Sequence, residues 1–262
     1  MSIKINYLNK LPSKNSVNLV LFIDEKLNIT NLKKNISSSE FSYINDLLKT
    51  IDLKKDLFVF NVNSKKKITL ISVKSNLEES AIENLGAKFY DHINQEKINE
   101  YFVNSNSIST KYKNFIGYFL HGLKLKSYEF NIYKSKNDKK IISINVVGDK
   151  NKITIKNELR FRAIEEGTFF ARDLVSEPPN VLNPKEYVNR LLKLRKLGIK
   201  VTVYNESQMK KLGMHSLLGV GRGSVNESFL VTLEWNGNKK DKKAPLSFVG
   251  KGVCFDTGGI SL

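Results

Sequence analysis

The chain has 262 residues, 40% of them apolar, which suffices for one large or two ordinary domains with a proper core and excludes a disordered polypeptide. Its single cysteine, Cys254, excludes an internal disulfide and fits a reducing compartment. The net charge of +17 raises nucleic acid and anionic membranes as partners, but the cations are mostly lysines scattered among Asn, Ile and Ser. Lys65-Lys66-Lys67, Lys139-Lys140 and Lys239-Lys240-Asp241-Lys242-Lys243 sit beside strand-like runs as solvated turns do, and lysine serves general solvation better than bidentate phosphate reading. Nucleic acid is therefore not the expected partner. Met1 to Lys10 lacks the apolar core of a secretory signal, and no apolar run reaches the roughly 18 residues of a membrane span. The expected location is the cytoplasm.

In chain order, Val17 to Ile23 and Lys67 to Val73 read as buried or half-buried strands, rich in β-branched residues. Between them Phe41, Ile44, Leu47 and Leu48 mark one face of a helix that follows a Ser37-Ser38-Ser39 cap region. Leu77 to Ile93 reads as a second helix through Leu77, Ala81, Ile82, Leu85 and Phe89. A third runs through Tyr112, Phe115, Ile116, Phe119, Leu120 and Leu123, and Lys140 to Val147 returns to strand. This alternation predicts an N-terminal α/β domain over residues 1–150, with aromatic side chains in its core.

The polar stretch Gly148 to Lys156 is the expected boundary. Beyond it the periodicity predicts a helix from Asn157 to Val175, stopped by Pro178-Pro179, and another from Pro184 to a Gly198 cap. Ile199 to Tyr204 reads as strand, Glu206 to Leu212 as a short helix, and Phe229 to Trp235 and Leu246 to Val249 as further strands. Residues 151–262 are thus expected to form an incomplete α/β domain, the fold class overall being α/β with a central mixed sheet. Gly219-Val220-Gly221-Arg222-Gly223-Ser224 lacks the third glycine of a dinucleotide fingerprint, Ser224 standing in its place, and reads as a flexible loop. His92, His121 and His215 form no His-Glu-x-x-His arrangement and read as surface or satisfied core residues. Glu165-Glu166 and Arg172-Asp173 read as solvated or paired helix charges, and no elbow motif anchors a Ser–His–Asp system.

The densest chemical signal is Val249-Gly250-Lys251-Gly252-Val253-Cys254-Phe255-Asp256-Thr257-Gly258-Gly259-Ile260-Ser261-Leu262. Were residues 251–256 extended, Lys251 and Asp256 would stand about 16 Å apart at roughly 3.3 Å per residue, too far to share an ion. The glycines on either side allow the bend that convergence requires. A lysine ligates only as the neutral amine, so its pKa has to fall from about 10.4, whereas a carboxylate is ready as it is. From the residues alone, a glycine-rich turn with Lys251 and Asp256 in solvent explains the stretch equally well. A phosphate loop does not, because Gly252 stands where Ser or Thr follows Gly-Lys.

This segment closely resembles the signature of the leucyl (cytosol) aminopeptidase family, Gly-Lys-Gly-x-x-Phe-Asp-Ser/Thr-Gly-Gly-x-x-x-Lys. Three upstream blocks, Ala171 to Pro184, Leu217 to Ser224 and Leu233 to Gly237, resemble the family in the same order, whereas the first 150 residues show no motif. The resemblance implies two divalent ions, manganese or zinc with magnesium as a further choice, that bind the substrate's α-amine and scissile carbonyl and activate a bridging water. Lys251 would ligate one ion and Asp256 bridge both. It further implies peptide substrates with a free N-terminus, a leucine-like preference, and a homo-hexamer of the intact protein. Cys254 sits where the family commonly has threonine and reads as a small structural hydrophobe.

No catalytic residue is assigned, because the family's lysine would follow directly after Leu262. A later aspartate and the segment Asn-Thr-Asp-Ala-Glu-Gly-Arg, which supply further ligands and an arginine, are not in the 262 residues either. Since even one zinc takes three or four ligands, the chain assayed by itself is expected to lack activity. A non-catalytic fragment or assembly subunit, and a basic nucleic-acid-binding protein, are the alternatives.

Overall fold

The computed structural model describes residues 3–12, 17–50, 55–108, 112–135, 140–149, 153–238, 240 and 245–254. The chain divides into two compact units, Met1–Phe170 and Ala171–Leu262. The expected α/β class holds, and its central mixed sheet is the six-stranded sheet of the first unit.

That sheet is built from β1 (Ile3–Leu8), β2 (Leu19–Asp24), β3 (Leu57–Asn63), β4 (Lys66–Val73), β5 (Glu100–Asn104) and β6 (Ile142–Val147), in the order β1-β6-β5-β2-β4-β3. All neighbours are parallel except β3 with β4, which form an antiparallel hairpin at one edge. A parallel strand covered on both faces needs an unbroken apolar run, and Leu19 to Ile23 supplies one, buried at every position. Its side chains alternate between two cores. Val20 and Phe22 join α2 (Glu79–Gln95) and α3 (Phe115–Lys126) on one face, whereas Leu19, Leu21 and Ile23 meet Leu32 and α1 (Ser38–Leu48) on the other.

Local chemistry fixes the helix ends. Ser37 caps α1, its Oγ accepting from Glu40 N–H while Glu40 Oε2 accepts from Ser37 N–H, so two otherwise orphaned donors are satisfied reciprocally. Helices α2 and α3 approach closely through two glycines. A Cβ on Gly86 would stand 2.9 Å from Leu123 N and closer still to the Phe119 carbonyl oxygen, and one on Gly122 would stand 2.6 Å from Glu83 Cα. Only hydrogen fits there.

The helix expected over 157–175 is α4 (Ile155–Ser176). Contacts divide the chain within it, between Phe170 and Ala171, and not in the polar stretch before it. The reason is packing: Ile153 and Phe161 belong to the first unit's core, where Phe161 lies edge-on to Tyr118 at 5.0 Å.

In the second unit, Asn183 caps α5 (Pro184–Leu192), with Pro184 at its first turn, and a 3-10 turn at Lys193–Leu197 leads to Gly198 at φ 83, the left-handed stop foreseen for it. Antiparallel β7 (Lys200–Tyr204) and β8 (Leu230–Glu234) form a two-stranded sheet, and α6 (Glu206–Lys211) begins in a second capping box from Asn205. Two expectations fail here. The segment read as a flexible loop begins inside α7 (His215–Gly221), a short helix started by Leu218 N–H bonding to Met214 O despite Gly219 and Gly221. Residues 246–249 form no strand, because β7 pairs with β8 alone and no other ladder is available among the described residues; Phe248 is 89% and Val249 100% exposed. No helix among the described residues is long and apolar enough to cross a membrane.

Candidate functional site

The segment singled out by sequence lies in the second unit. Residues 245–254 run without helix or ladder, and the glycines differ in what they permit. A Cβ at Gly252 would come 2.6 Å from Tyr187 Cε1 on α5, so the missing side chain lets the backbone lie against that ring, while Gly250 faces open space. Lys251 is exposed between them and makes no ion pair among the described residues. Cys254 is half-buried, and burial pushes its thiol pKa up, as suits an unreactive small hydrophobe. Asp256 lies outside the described residues, as does everything from Phe255 onward. Among the described residues no group of three or more His, Cys, Asp or Glu could hold a metal.

Sequence reasoning missed what holds the neighbouring corner. Helix α4 closes with Glu177 N–H on Asp173 O, and Pro178 O then accepts from both Val181 and Leu182, turning the chain into α5. Glu177, only 3% exposed at its side chain, accepts from Arg190 Nη1 at 2.6 Å, and Glu186 takes Arg190 Nε at 3.2 Å. The hydrogen bond donated to Glu177, with the one to Glu186 adding to it, raises the guanidinium pKa above its ordinary value. Thirteen positions separate Glu177 from Arg190, a spacing that no helical or strand period marks. In the small sheet, Lys200 and Glu234 face each other across the strands at 3.1 Å.

The other polar candidates resolve as structural groups. His121, 5% exposed on α3, engages Glu83 through Nδ1 at 2.7 Å, and its Nε2 has no partner among the described residues. Glu165 is a paired and buried charge, 3.0 Å from Lys124 Nζ. His92 lies 3.8 Å from Glu96, and burial lowers its pKa. His215 starts α7 in an exposed position.

Residues 169–262 match the model of the cytosol aminopeptidase family, catalytic domain. A probable cytosol aminopeptidase of Agrobacterium fabrum is 45% identical over 150 residues, covering 55% of this chain and 30% of that protein. One of Rickettsia rickettsii is 34% identical over 280 residues, covering 99% of this chain and 55% of the relative. Among solved structures, a mutant of tomato leucine aminopeptidase superposes with a TM-score of 0.74 at 21% identity, over 98% of this chain and 55% of that one. The bottromycin maturation enzyme BotP in complex with Mn gives 0.61 at 14% identity, over 85% and 46%. The two structures share the fold. This chain spans about half the length of the Rickettsia relative that it matches from end to end. The four sequence blocks and these matches agree: residues 169–262 are similar to the catalytic domain of the cytosol aminopeptidase family, the match beginning near the end of α4.

Proposed function

We propose that the chain is part of a metal-dependent aminopeptidase that releases N-terminal, leucine-like residues from peptides with a free α-amine. The observation that supports this reading is the catalytic-domain match over residues 169–262, a stretch that includes Lys251 and Asp256, the two residues we assign as metal ligands. An amine and a carboxylate form a nitrogen and oxygen donor set suited to manganese, zinc or magnesium. The donor set fits, and Lys251 is exposed with no carboxylate engaging it among the described residues. When bound, the two ions would supply a lowered water pKa and stabilise charge on the scissile carbonyl. This chain's own part is to present the Lys251 amine from a glycine-flanked backbone that Tyr187 supports, and the Asp256 carboxylate five positions on. Homo-hexameric assembly and a cytoplasmic location belong to the same proposal.

Two ligands hold a metal pair poorly, so the 262-residue polypeptide assayed alone is expected to show no turnover. Fusing it to the remaining C-terminal portion of the Rickettsia relative should give manganese-stimulated hydrolysis of leucine anilide. Lys251→Ala or Asp256→Ala in that fusion should abolish both metal content and turnover. A fusion that keeps its metal and its activity with both substitutions would overturn the reading.

A further inference from the structure

Parallel sheets bind ligands where neighbouring strands send their connections in opposite directions, because a crevice opens at the strands' carboxyl ends. In the first unit that point lies between β2 and β5. From β2 the chain passes through Leu32 and α1, on one face, towards β3 and β4; from β5 it passes through α3, on the other face, towards β6. A cavity of about 770 Å3 occupies this point, within the roughly 300–1,000 Å3 of small-molecule sites. Phe22, Leu32, Val73 and Ile108 give it an apolar floor, and Tyr112 closes one side.

The polar rim is organised. The loop after β2 folds around Asp24, whose Oδ1 accepts from Lys26 N–H at 3.1 Å and Asn28 N–H at 3.0 Å. Leu27 is held at φ 55 to make that turn, a left-handed conformation that a residue with a bulky side chain rarely adopts. One carboxylate oxygen is thereby fixed by the backbone, and Oδ2 accepts nothing among the described residues. Asn28 Oδ1 accepts from Thr30 N–H at 2.9 Å, which identifies its other amide atom as a donor and leaves that donor without a partner among the described residues. An acceptor and a donor four positions apart in the lining of a cavity with apolar walls complement the amino group and adjacent ring nitrogen of adenine. The charge on the lining argues against phosphate as the main handle, since Asp24 and Glu25 outnumber Lys34. Asn31 and Asn35 stand at the same rim as partners for sugar hydroxyls.

We infer that the first unit carries a binding site for a purine ribonucleoside, with Asp24 and Asn28 reading the base edge of adenine. The site is independent of the metal segment, and its test does not need an active peptidase. Adenosine titrated into the full chain by calorimetry should bind saturably. Inosine, which has an oxygen in place of the amino group, should bind about tenfold more weakly for the loss of a hydrogen bond to a charged acceptor. Asp24→Asn should weaken adenosine about tenfold and erase that preference. Asn31→Trp, a change at an exposed rim position, should fill the crevice and abolish binding with an unchanged circular dichroism spectrum. Absence of saturable adenosine binding, equal affinity for inosine, persistence in folded Asn31→Trp, or displacement by inorganic phosphate would each overturn the proposal.

Discussion

Replacing Gly86 with alanine should force α2 and α3 apart. The added methyl would stand 2.9 Å from both Leu123 N and Phe119 C, against an ordinary contact of at least 3.4 Å, and nearer still to the Phe119 carbonyl oxygen. Every obstacle is backbone, so no rotamer change relieves it, and the helices have to part by more than the 0.5 Å between those two distances. Overpacking of this kind costs about 1–3 kcal/mol, and the severity places Gly86→Ala at or above the upper end. Alanine's better helix propensity returns about 1 kcal/mol, leaving a net loss of about 2 kcal/mol. For a unit of this size that lowers Tm by about 4–8 °C in a circular dichroism melt. Gly167 on α4 is the matched control: it is also a helical glycine, but an added methyl meets nothing within 4 Å. Gly167→Ala should therefore leave Tm unchanged or raise it slightly. Equal shifts for the two variants would show that helix propensity, and not the close approach, governs these positions.

Three other outcomes follow from named contacts. Gly122→Ala should behave like Gly86→Ala, since the same contact is closed from the other helix by Glu83 backbone. Glu96 has its carboxyl held below the ordinary 4.5, chiefly by the hydrogen bond from Lys67 at 2.6 Å. A depressed folded pKa means stability that is present above the unfolded value and lost as pH falls through the folded value, so Glu96→Gln should be less stable than the parent at pH 7 in urea titrations. The gap should close as pH drops below 4.5, and a gap constant from pH 7 into that acid range would refute the assignment. Glu177→Ala removes a nearly buried partner of Arg190 and should lower stability by about 3 kcal/mol, with Arg190→Ala causing a comparable loss; a shift under about 0.5 kcal/mol in chemical denaturation would place that pair among inconsequential surface contacts.

Much of the fold was legible because its strongest signals are periodic. Buried runs gave β2, β4 and β6, the 3.6-residue pattern gave α1 to α5, and Gly198 was read as a stop from its place after the helix. Strands β1, β3 and β5 were missed, being five to seven residues long and carrying polar positions where they reach an edge or an end. The failed strand at Leu246 to Val249 shows the converse: an apolar run states what a segment could pair with but not whether a partner stands beside it. At the candidate site, Lys251 was found by motif alone. The support of Gly252 by Tyr187 was not, since it joins residues far apart in sequence. The crevice at the end of β2 was invisible for the same reason, its rim being assembled from three separate loops.

The register of the large sheet bears on how the molecule comes into being. β1 lies along β6 from Ile3 opposite Ile142 to Leu8 opposite Val147, and Asn6 donates to Asn145 across a sequence separation of 139. During synthesis at roughly 5–20 residues per second, the first strand leaves the ribosome many seconds before its neighbour exists. A hairpin such as β3–β4 can form at once, but this edge must wait, and closure over so long a span slows it further. Through that interval the Ile3, Ile5 and Tyr7 side of β1 has no sheet to join, so newly made chains would be exposed to mispairing and to chaperone capture at this strand.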